Sequence, residues 1–264
     1  MSHLIGFYST INWPFLWLIT AAFLGGGLNA VAGGGSFLLF PAILGMGVLP
    51  IQANATNTVA LWPGQFTSIA AYREDIRKNL RHAWPMAIAG FLGGTTGATL
   101  LLHTPQRTFM FLIPWLLLGA ALIFAVSGPV TRRIALLRAS TTGPAHRRRL
   151  PLFIAALAVC TYIGYFGAGA GFLLITTFSL FGWQDLHEIN AMKVIATTLA
   201  NGMAFVLFVV NGQVVWRYCL VAMVTCAIGG YVSARFAKRI PQQVLRTAVV
   251  IIGLAMAGWF FWRQ

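Results

Sequence analysis

The sequence predicts an all-α integral membrane protein of about ten transmembrane segments, two of them short and broken. Hydrophobic residues make up 58% of the 264 residues and charged residues only 8%, whereas soluble domains carry about 25% charged residues. The apolar runs are continuous, which argues against a transmembrane β-barrel with its alternating pattern. Most Arg and Lys residues fall between these runs, so the formal charge of +14 indicates membrane orientation. We expect a lipid-bilayer environment and no nucleic-acid partner.

Five apolar segments come before a basic stretch and five follow it. The first five are Pro14–Ala32, Ser36–Val48, Ala53–Tyr72, Ala83–Leu102 and Thr108–Ser127, and the second five are Pro151–Ala168, Phe172–Trp183, Ile189–Val210, Trp216–Phe236 and Val244–Trp262. As a helix, Ser36–Val48 would extend about 20 Å, which is short of the roughly 30 Å hydrocarbon core. The N-terminus lacks the features of a signal peptide, so we expect the first segment to remain as a membrane helix.

The basic stretch Gly128–Leu150 contains six arginines and no acidic residue. Positive charge is concentrated in cytoplasmic loops, so this linker should be cytoplasmic. Arg73–Arg81 and Arg235–Arg239 then fall on the same side, and both termini fall outside. The predicted organisation is an N-terminal repeat at 1–127, a linker at 128–150 and a C-terminal repeat at 151–264.

The two halves are related by a constant offset of 136 positions. Matching pairs at this offset are Gly33 with Gly169, Gly35 with Gly171, Asn54-Ala55 with Asn190-Ala191, Gly93-Gly94 with Gly229-Gly230, and Pro105-Gln106 with Pro241-Gln242. Each half has an odd number of segments, so the halves should be inverted relative to each other. Inverted repeats with short, interrupted helices are typical of transporters, whose substrate site lies near the midplane.

Glycine-rich stretches interrupt corresponding positions of the two halves. The candidate substrate-binding glycines are Gly33, Gly34 and Gly35 in the first half and Gly167, Gly169 and Gly171 in the second. A helix that begins after each stretch would present unpaired N–H groups and partial positive charge, which suits an anion. Ser36 would cap the first of these helices or donate its hydroxyl. The alternative is that the glycines only allow close helix packing.

Polar residues near these stretches complete the candidate site. Lys193 is the one ionisable residue well inside an apolar run, and it occupies the repeat position of Asn57. A cation in the membrane normally marks a pathway or a pair; alternatively, Lys193 extends to the interface or pairs with Glu188. The neutral donors are Asn29, Asn54, Asn57, Asn190 and Asn201, each of which might instead join two helices. Arg81 and Arg217 are better interpreted as interfacial anchors.

The sequence contains no recognisable arrangement of catalytic residues. The four acidic residues are Glu74, Asp75, Asp185 and Glu188, with no paired-carboxylate or metal-ligand arrangement. No P-loop is present, and the three cysteines read as packing residues. We therefore expect no enzyme, metal or cofactor. Glu188 is the candidate coupling residue, although export of an anion needs no proton relay because an inside-negative potential favours it.

Four motifs resemble the sulfite exporter TauE/SafE family of membrane permeases. They are AVAGGGSFLLFP (Ala30–Pro41), ANATN (Ala53–Asn57), YFGAGAGFLL (Tyr165–Leu174) and INAMK (Ile189–Lys193). The resemblance implies export of sulfite or an organosulfonate such as sulfoacetate across the bacterial inner membrane. Phe172 stands where the first half has Ser36, so the halves should contribute unequally.

Two other functions remain open from the sequence. One is proton-coupled uptake or exchange of a small carboxylate or sulfonate, with Glu188 as the relay. The other is a non-transporting membrane scaffold or chaperone, which would not need paired irregular backbone at membrane depth. A homo-oligomer is compatible with each of these functions.

Overall fold

The computed structural model describes residues 13–139, 149–183, 185–236 and 242–263. These residues form twelve helices. They are α1 (Trp13–Ala32), α2 (Ser36–Gly45), α3 (Pro50–Leu61), α4 (Gly64–Ala71), α5 (Arg73–Lys78), α6 (Leu80–His103), α7 (Gln106–Ala139), α8 (Arg149–Tyr165), α9 (Ala170–Leu180), α10 (Leu186–Val210), α11 (Trp216–Phe236) and α12 (Gln242–Arg263). The prediction of an all-α protein is confirmed for these residues.

Four helices of the described chain are long and apolar enough to cross a membrane. The spans are Trp13–Ala30, Leu80–His103, Gln106–Ile123 and Leu186–Val210. Shorter apolar helices include Ser36–Gly45, Leu150–Tyr165, Ala170–Leu180 and Val250–Trp262. Large apolar side chains such as Trp84, Trp115 and Val224 are exposed on the surface, as expected where a protein faces lipid rather than water.

The third predicted segment, Ala53–Tyr72, is not one helix. It divides into α3 and α4 at Trp62 and Pro63, because proline has no N–H to continue the helical ladder and its ring clashes with the preceding turn. The amide of Gln65 resumes the bonding pattern by donating to the carbonyl oxygen of Trp62 at 2.9 Å. A second difference lies in α7, whose helix continues through 128–139, the first part of the predicted linker.

The short helix α2 folds back along α1. A Cβ atom built on Gly25 would lie 3.0 Å from the carbonyl oxygen of Gly35 and 3.6 Å from Cβ of Leu39, so residues after the turn return beside residues well before it. In the same way α9 packs against α8. The 10 residues of α2 and 11 residues of α9 correspond to about 15–17 Å, roughly half the hydrocarbon thickness.

Glycines bring two pairs of long helices into backbone contact. On α1 and α11, a Cβ on Gly26 would overlap the backbone of Cys226, and one on Gly229 would overlap the carbonyl of Phe23. On α6 and α8, a Cβ on Gly97 would overlap the carbonyl oxygen of Thr161. Small residues at membrane helix contacts permit this approach. In both pairs a helix of the first half packs against one of the second.

Candidate functional site

The first helix break lies between α1 and α2. Gly33 has φ of 71°, in the left-handed region that glycine adopts without strain, and its amide donates to the carbonyl of Asn29 at 3.1 Å. The next three backbone N–H groups, those of Gly34, Gly35 and Ser36, have no hydrogen-bond partner among the described residues. This break therefore presents three unused donors at the start of a helix.

The second break lies between α8 and α9 and needs two left-handed glycines. Gly167 has φ of 75° and Gly169 φ of 71°. The hydroxyl of Tyr162 donates to the carbonyl of Ala168 at 2.8 Å and holds the turn in place. Within the part of the chain that the structure describes, the N–H groups of Ala168, Gly169 and Gly171 lack a partner. Both Gly-rich stretches thus interrupt helices and leave backbone donors unpaired among the described residues.

The two breaks meet. A Cβ atom on Gly33 would lie 3.8 Å from Cα of Gly171 and 3.9 Å from its backbone nitrogen. A Cβ atom on Gly169 would lie 3.8 Å from Cε2 of Phe37. The rings of Phe40 and Phe166 also pack edge to face, with centroids 5.6 Å apart. Apolar packing thus holds two groups of backbone donors close together.

Asn57 and Lys193 flank the meeting point from corresponding positions in the sequence. The Nδ2 group of Asn57 donates to Oγ of Ser36 at 3.0 Å, at the first residue of α2. A Cβ on Gly171 would lie 3.7 Å from Cδ of Lys193, which places the lysine stem against the first turn of α9. Among the described residues, Lys193 makes no ion pair with any of the acidic residues.

Asn54 links the first half of the chain to the second break. Its Nδ2 group donates to the carbonyl of Tyr165 at 3.1 Å, one of the carbonyls left unpaired at the end of α8. The side chains of Asn54 and Asn57 are each 1% exposed, and their Oδ1 atoms have no hydrogen-bond partner among the residues that the structure describes. Buried amide oxygens without a donor are uncommon and require a reason.

The remaining predicted residues lie at different distances from the breaks. Asn201 is beside the second break, with Oδ1 3.9 Å from a Cβ on Gly167, and its Nδ2 group donates to Thr197 of its own helix. Asn29 lies beside Gly35: a Cβ atom built on Gly35 would lie 2.8 Å from Cβ of Asn29. Asn190 donates to the carbonyl of Leu186, one turn earlier in its own helix. Glu188 lies in the first turn of α10.

Sequence reasoning missed Trp62 and Tyr162. The indole N–H of Trp62 donates to the carbonyl of Thr198 at 3.2 Å, which ties the α3–α4 junction to α10. Tyr162 holds the second break, as described above. The available signal was weak in each case: a Trp before a Pro inside an apolar run, and a Tyr a few residues before a Gly-rich stretch.

The convergent glycine breaks belong to a chain that matches a known family along nearly its whole length, at residues 18–260, and that family is described as sulfite exporter TauE/SafE. The chain belongs to this family. As a TauE/SafE protein it is a multi-pass membrane transporter, consistent with its apolar helices.

Several bacterial relatives have similar sequences. A probable membrane transporter protein, ORF9, of Sinorhizobium is 28% identical over 252 residues, covering 91% of this TauE/SafE chain and 89% of the relative. A probable membrane transporter protein of Haemophilus influenzae is 26% identical, covering 92% and 95%. The probable membrane transporter protein YfcA of Escherichia coli K12 is 25% identical, covering 91% and 87%. No solved structure matches the chain.

Proposed function

We propose that this transporter exports a small sulfur-containing oxyanion, sulfite or an organosulfonate such as sulfoacetate, from a site where the two Gly-rich breaks meet. The observation that carries the proposal is the contact of Gly33 with Gly171. Around that contact six backbone N–H groups lack partners in the described chain. Unpaired amides at helix N-termini bind anions through hydrogen bonds and the helix dipole.

Side chains add charge and polarity to this cluster of donors. Lys193 supplies a positive charge beside Gly171, and intramembrane cations commonly mark an ion pathway. Ser36 and Asn57 supply neutral polar groups at the other break. In this proposal the substrate contacts are Gly33, Gly34, Gly35, Ser36, Asn57, Gly169, Gly171 and Lys193, with Asn29, Asn201 and Gly167 in the surrounding layer. Asn54 positions the second break, and Asn190 is included because it belongs to the INAMK motif.

The proposal includes an inverted repeat, which would put this site near the bilayer midplane. The α1–α11 and α6–α8 pairs are equivalent under the offset of 136, and so are the helices of the α7–α12 pair, which also pack together. In each pair a helix of one half packs against a helix of the other. This arrangement supports two halves, at 1–127 and 151–264, that are related by a pseudo-two-fold axis. The basic linker 128–150 would be cytoplasmic and both termini outside, in the bacterial inner membrane.

The membrane potential supplies a driving force for export. An inside-negative potential favours exit of an anion by about 2.3 kcal/mol per charge per 100 mV. The proton-coupled alternative depends on Glu188, which lies in the first turn of α10, about 7.5 Å along the helix axis from Lys193. The scaffold alternative gains no support from two breaks that converge. Potential-driven export therefore fits the residues best.

Flux and binding measurements on the full-length protein test the proposal. Reconstituted vesicles loaded with sulfite should release it faster with the protein than without, and faster when the interior is negative. In a thermal-shift screen of sulfite, sulfate, thiosulfate, sulfoacetate and lactate, a bound sulfur anion should raise the unfolding temperature by mass action. Failure of every sulfur anion both to stabilise the protein and to cross the vesicle membrane would falsify the proposed function.

A further inference from the structure

The charge balance of the site is set by one side chain. Among the described residues that touch either break, Lys193 is the one side chain that carries charge at neutral pH. The four acidic residues of the chain lie elsewhere, in α5 and at the start of α10. A single cation can neutralise a single negative charge. A second negative charge would remain uncompensated away from bulk water, which is costly.

The site also contains hydrogen-bond acceptors that an oxyanion without a proton cannot satisfy. The Oδ1 atoms of Asn54 and Asn57 are buried and lack a donor within the described part of the chain. The Nδ2 group of Asn57 donates to Oγ of Ser36, the first residue of α2. The Oδ1 atom belongs to the same amide group, so it also lies close to the first break. Leaving such an acceptor unpaired costs free energy, and a ligand O–H recovers it.

We propose that the site selects a singly charged anion that carries its own O–H donor: hydrogensulfite, in its O–H form, rather than the sulfite dianion. The inference rests on the proposed function and narrows its substrate class. The charged oxygens face Lys193 and the backbone N–H groups, while the acid proton is donated to Oδ1 of Asn57. Doubly charged sulfoacetate and sulfate are then poor ligands, although they contain the same sulfur–oxygen group.

Calorimetric binding measurements on the purified full-length protein distinguish hydrogensulfite from the sulfite dianion. They are made at two pH values, one on each side of the second ionisation of sulfurous acid. The probes are sulfite, sulfate as a dianion at both pH values, and methanesulfonate as a monoanion without an O–H. Sulfite affinity, counted on total sulfite, should fall in parallel with the hydrogensulfite fraction as pH rises. Sulfate should bind at least about tenfold more weakly than hydrogensulfite, and methanesulfonate about 2- to 10-fold more weakly.

Methanesulfonate also controls for titration of the protein itself. Titratable groups on the helices packed against α10, and on α10, include Asp75 on α5, His82 on α6, Tyr162 and Tyr165 on α8, and Glu188 and Lys193 on α10. Their titration affects both monoanions, so the ratio of sulfite to methanesulfonate affinity isolates the ionisation of the ligand. A ratio that stays constant between the two pH values would overturn the inference.

Variants of Asn57 test the same idea from the side of the protein. Asn57→Leu removes the acceptor and should bring the affinity of hydrogensulfite to within about twofold of that of methanesulfonate. Asn57→Lys adds a second cation at the position equivalent to Lys193 and should shift preference toward sulfate by at least about tenfold. If either variant fails to fold, the wild-type ligand series still decides.

The possible outcomes separate this inference from the proposed function. Equal binding of sulfate and hydrogensulfite contradicts the selection of a monoanion but leaves sulfur-anion transport intact. Absence of binding by all three probes contradicts the proposed function itself. Tight hydrogensulfite binding with weak sulfate supports both.

Discussion

The indole N–H of Trp62 donates to the backbone carbonyl of Thr198 at 3.2 Å, and the two residues are 136 positions apart. The hydroxyl of Thr198 in turn donates to Oε1 of Gln65 at 3.2 Å. The Trp62 ring also packs against Gly202 and lies 4.7 Å, centroid to centroid, from Phe205. The separation equals the offset of the proposed repeat, so this crossing is where equivalent segments of the two halves would meet. It also fixes α10, which carries Lys193.

Replacing Trp62 with Phe should lower stability, because the indole donor is lost while most of the aromatic packing is retained. The expected loss is about 0.5–1.5 kcal/mol, measured by denaturant unfolding in detergent. Trp115→Phe is the control, since Trp115 is 54% exposed and should change stability little. Equal effects of the two substitutions would contradict a stabilising role for the Trp62–Thr198 hydrogen bond.

Replacing Gly33 with Ala should strain the first break. The left-handed backbone at φ of 71° costs a residue with a Cβ about 1–2 kcal/mol, and relief of that strain would move α2 away from Gly171. We expect a lower unfolding temperature and a loss of sulfite flux. Gly258→Ala in α12 has no neighbour within 4 Å and should be neutral or stabilising by up to about 1 kcal/mol. Wild-type flux in the Gly33 variant would contradict a role for the break.

Replacing Gly97 with Ala should destabilise the protein without reference to the substrate site. The added Cβ would overlap the carbonyl of Thr161, so α6 and α8 must separate, at an expected cost of about 1–3 kcal/mol. Gly119→Ala in α7 meets nothing within 4 Å and serves as the matched control. Unfolding temperatures of the two variants provide the comparison, and the idea of close α6–α8 contact fails if they are equal.

Replacing Lys193 with Ala should weaken anion binding and leave folding intact. Hydrogen bonds to charged groups are worth about 1.5–3 kcal/mol, which corresponds to a loss of about 10- to 150-fold in affinity. Lys78→Ala on the short helix α5, where Lys78 is exposed, removes the same charge away from the breaks. Isothermal titration with sulfite measures both. Unchanged affinity in the Lys193 variant rules out a direct role for its charge.

The orientation of the chain can be tested by labelling. In a variant with Cys160, Cys219 and Cys226 replaced by Ala, Thr141→Cys in the linker should react with a membrane-impermeant maleimide only after the inner side is exposed. Gln264→Cys at the C-terminus should react from the outside. The expectation follows from the concentration of arginine in the linker. The reverse labelling pattern would invert the proposed topology.

The sequence was informative where single residues restrict the backbone. Gly33, Gly167 and Gly169 were predicted to interrupt helices, and each adopts positive φ. The division at Trp62–Pro63 was missed because the apolar run continues through it, although Pro63 was a visible signal. The contact between Gly33 and Gly171 depends on how α1 and α8 are placed in three dimensions, and no local pattern encodes it. The sequence alone also left open whether Lys193 pairs with Glu188. Both residues lie on α10, and residues five apart on a helix point about 140° away from each other.

A contact between two glycines has a mechanical consequence. Where Gly33 faces Gly171, the nearest atoms to a Cβ built on Gly33 are backbone atoms of Gly171, so a small local shift at this point separates main chain from main chain and need not disturb the rings of Phe40 and Phe166. The energetic barrier to a small excursion of either turn should therefore be low compared with that for separating two packed leucines. Passage of an anion would then require a small tilt of two backbone turns, and bulky substituents at Gly33 or Gly171 would obstruct that movement.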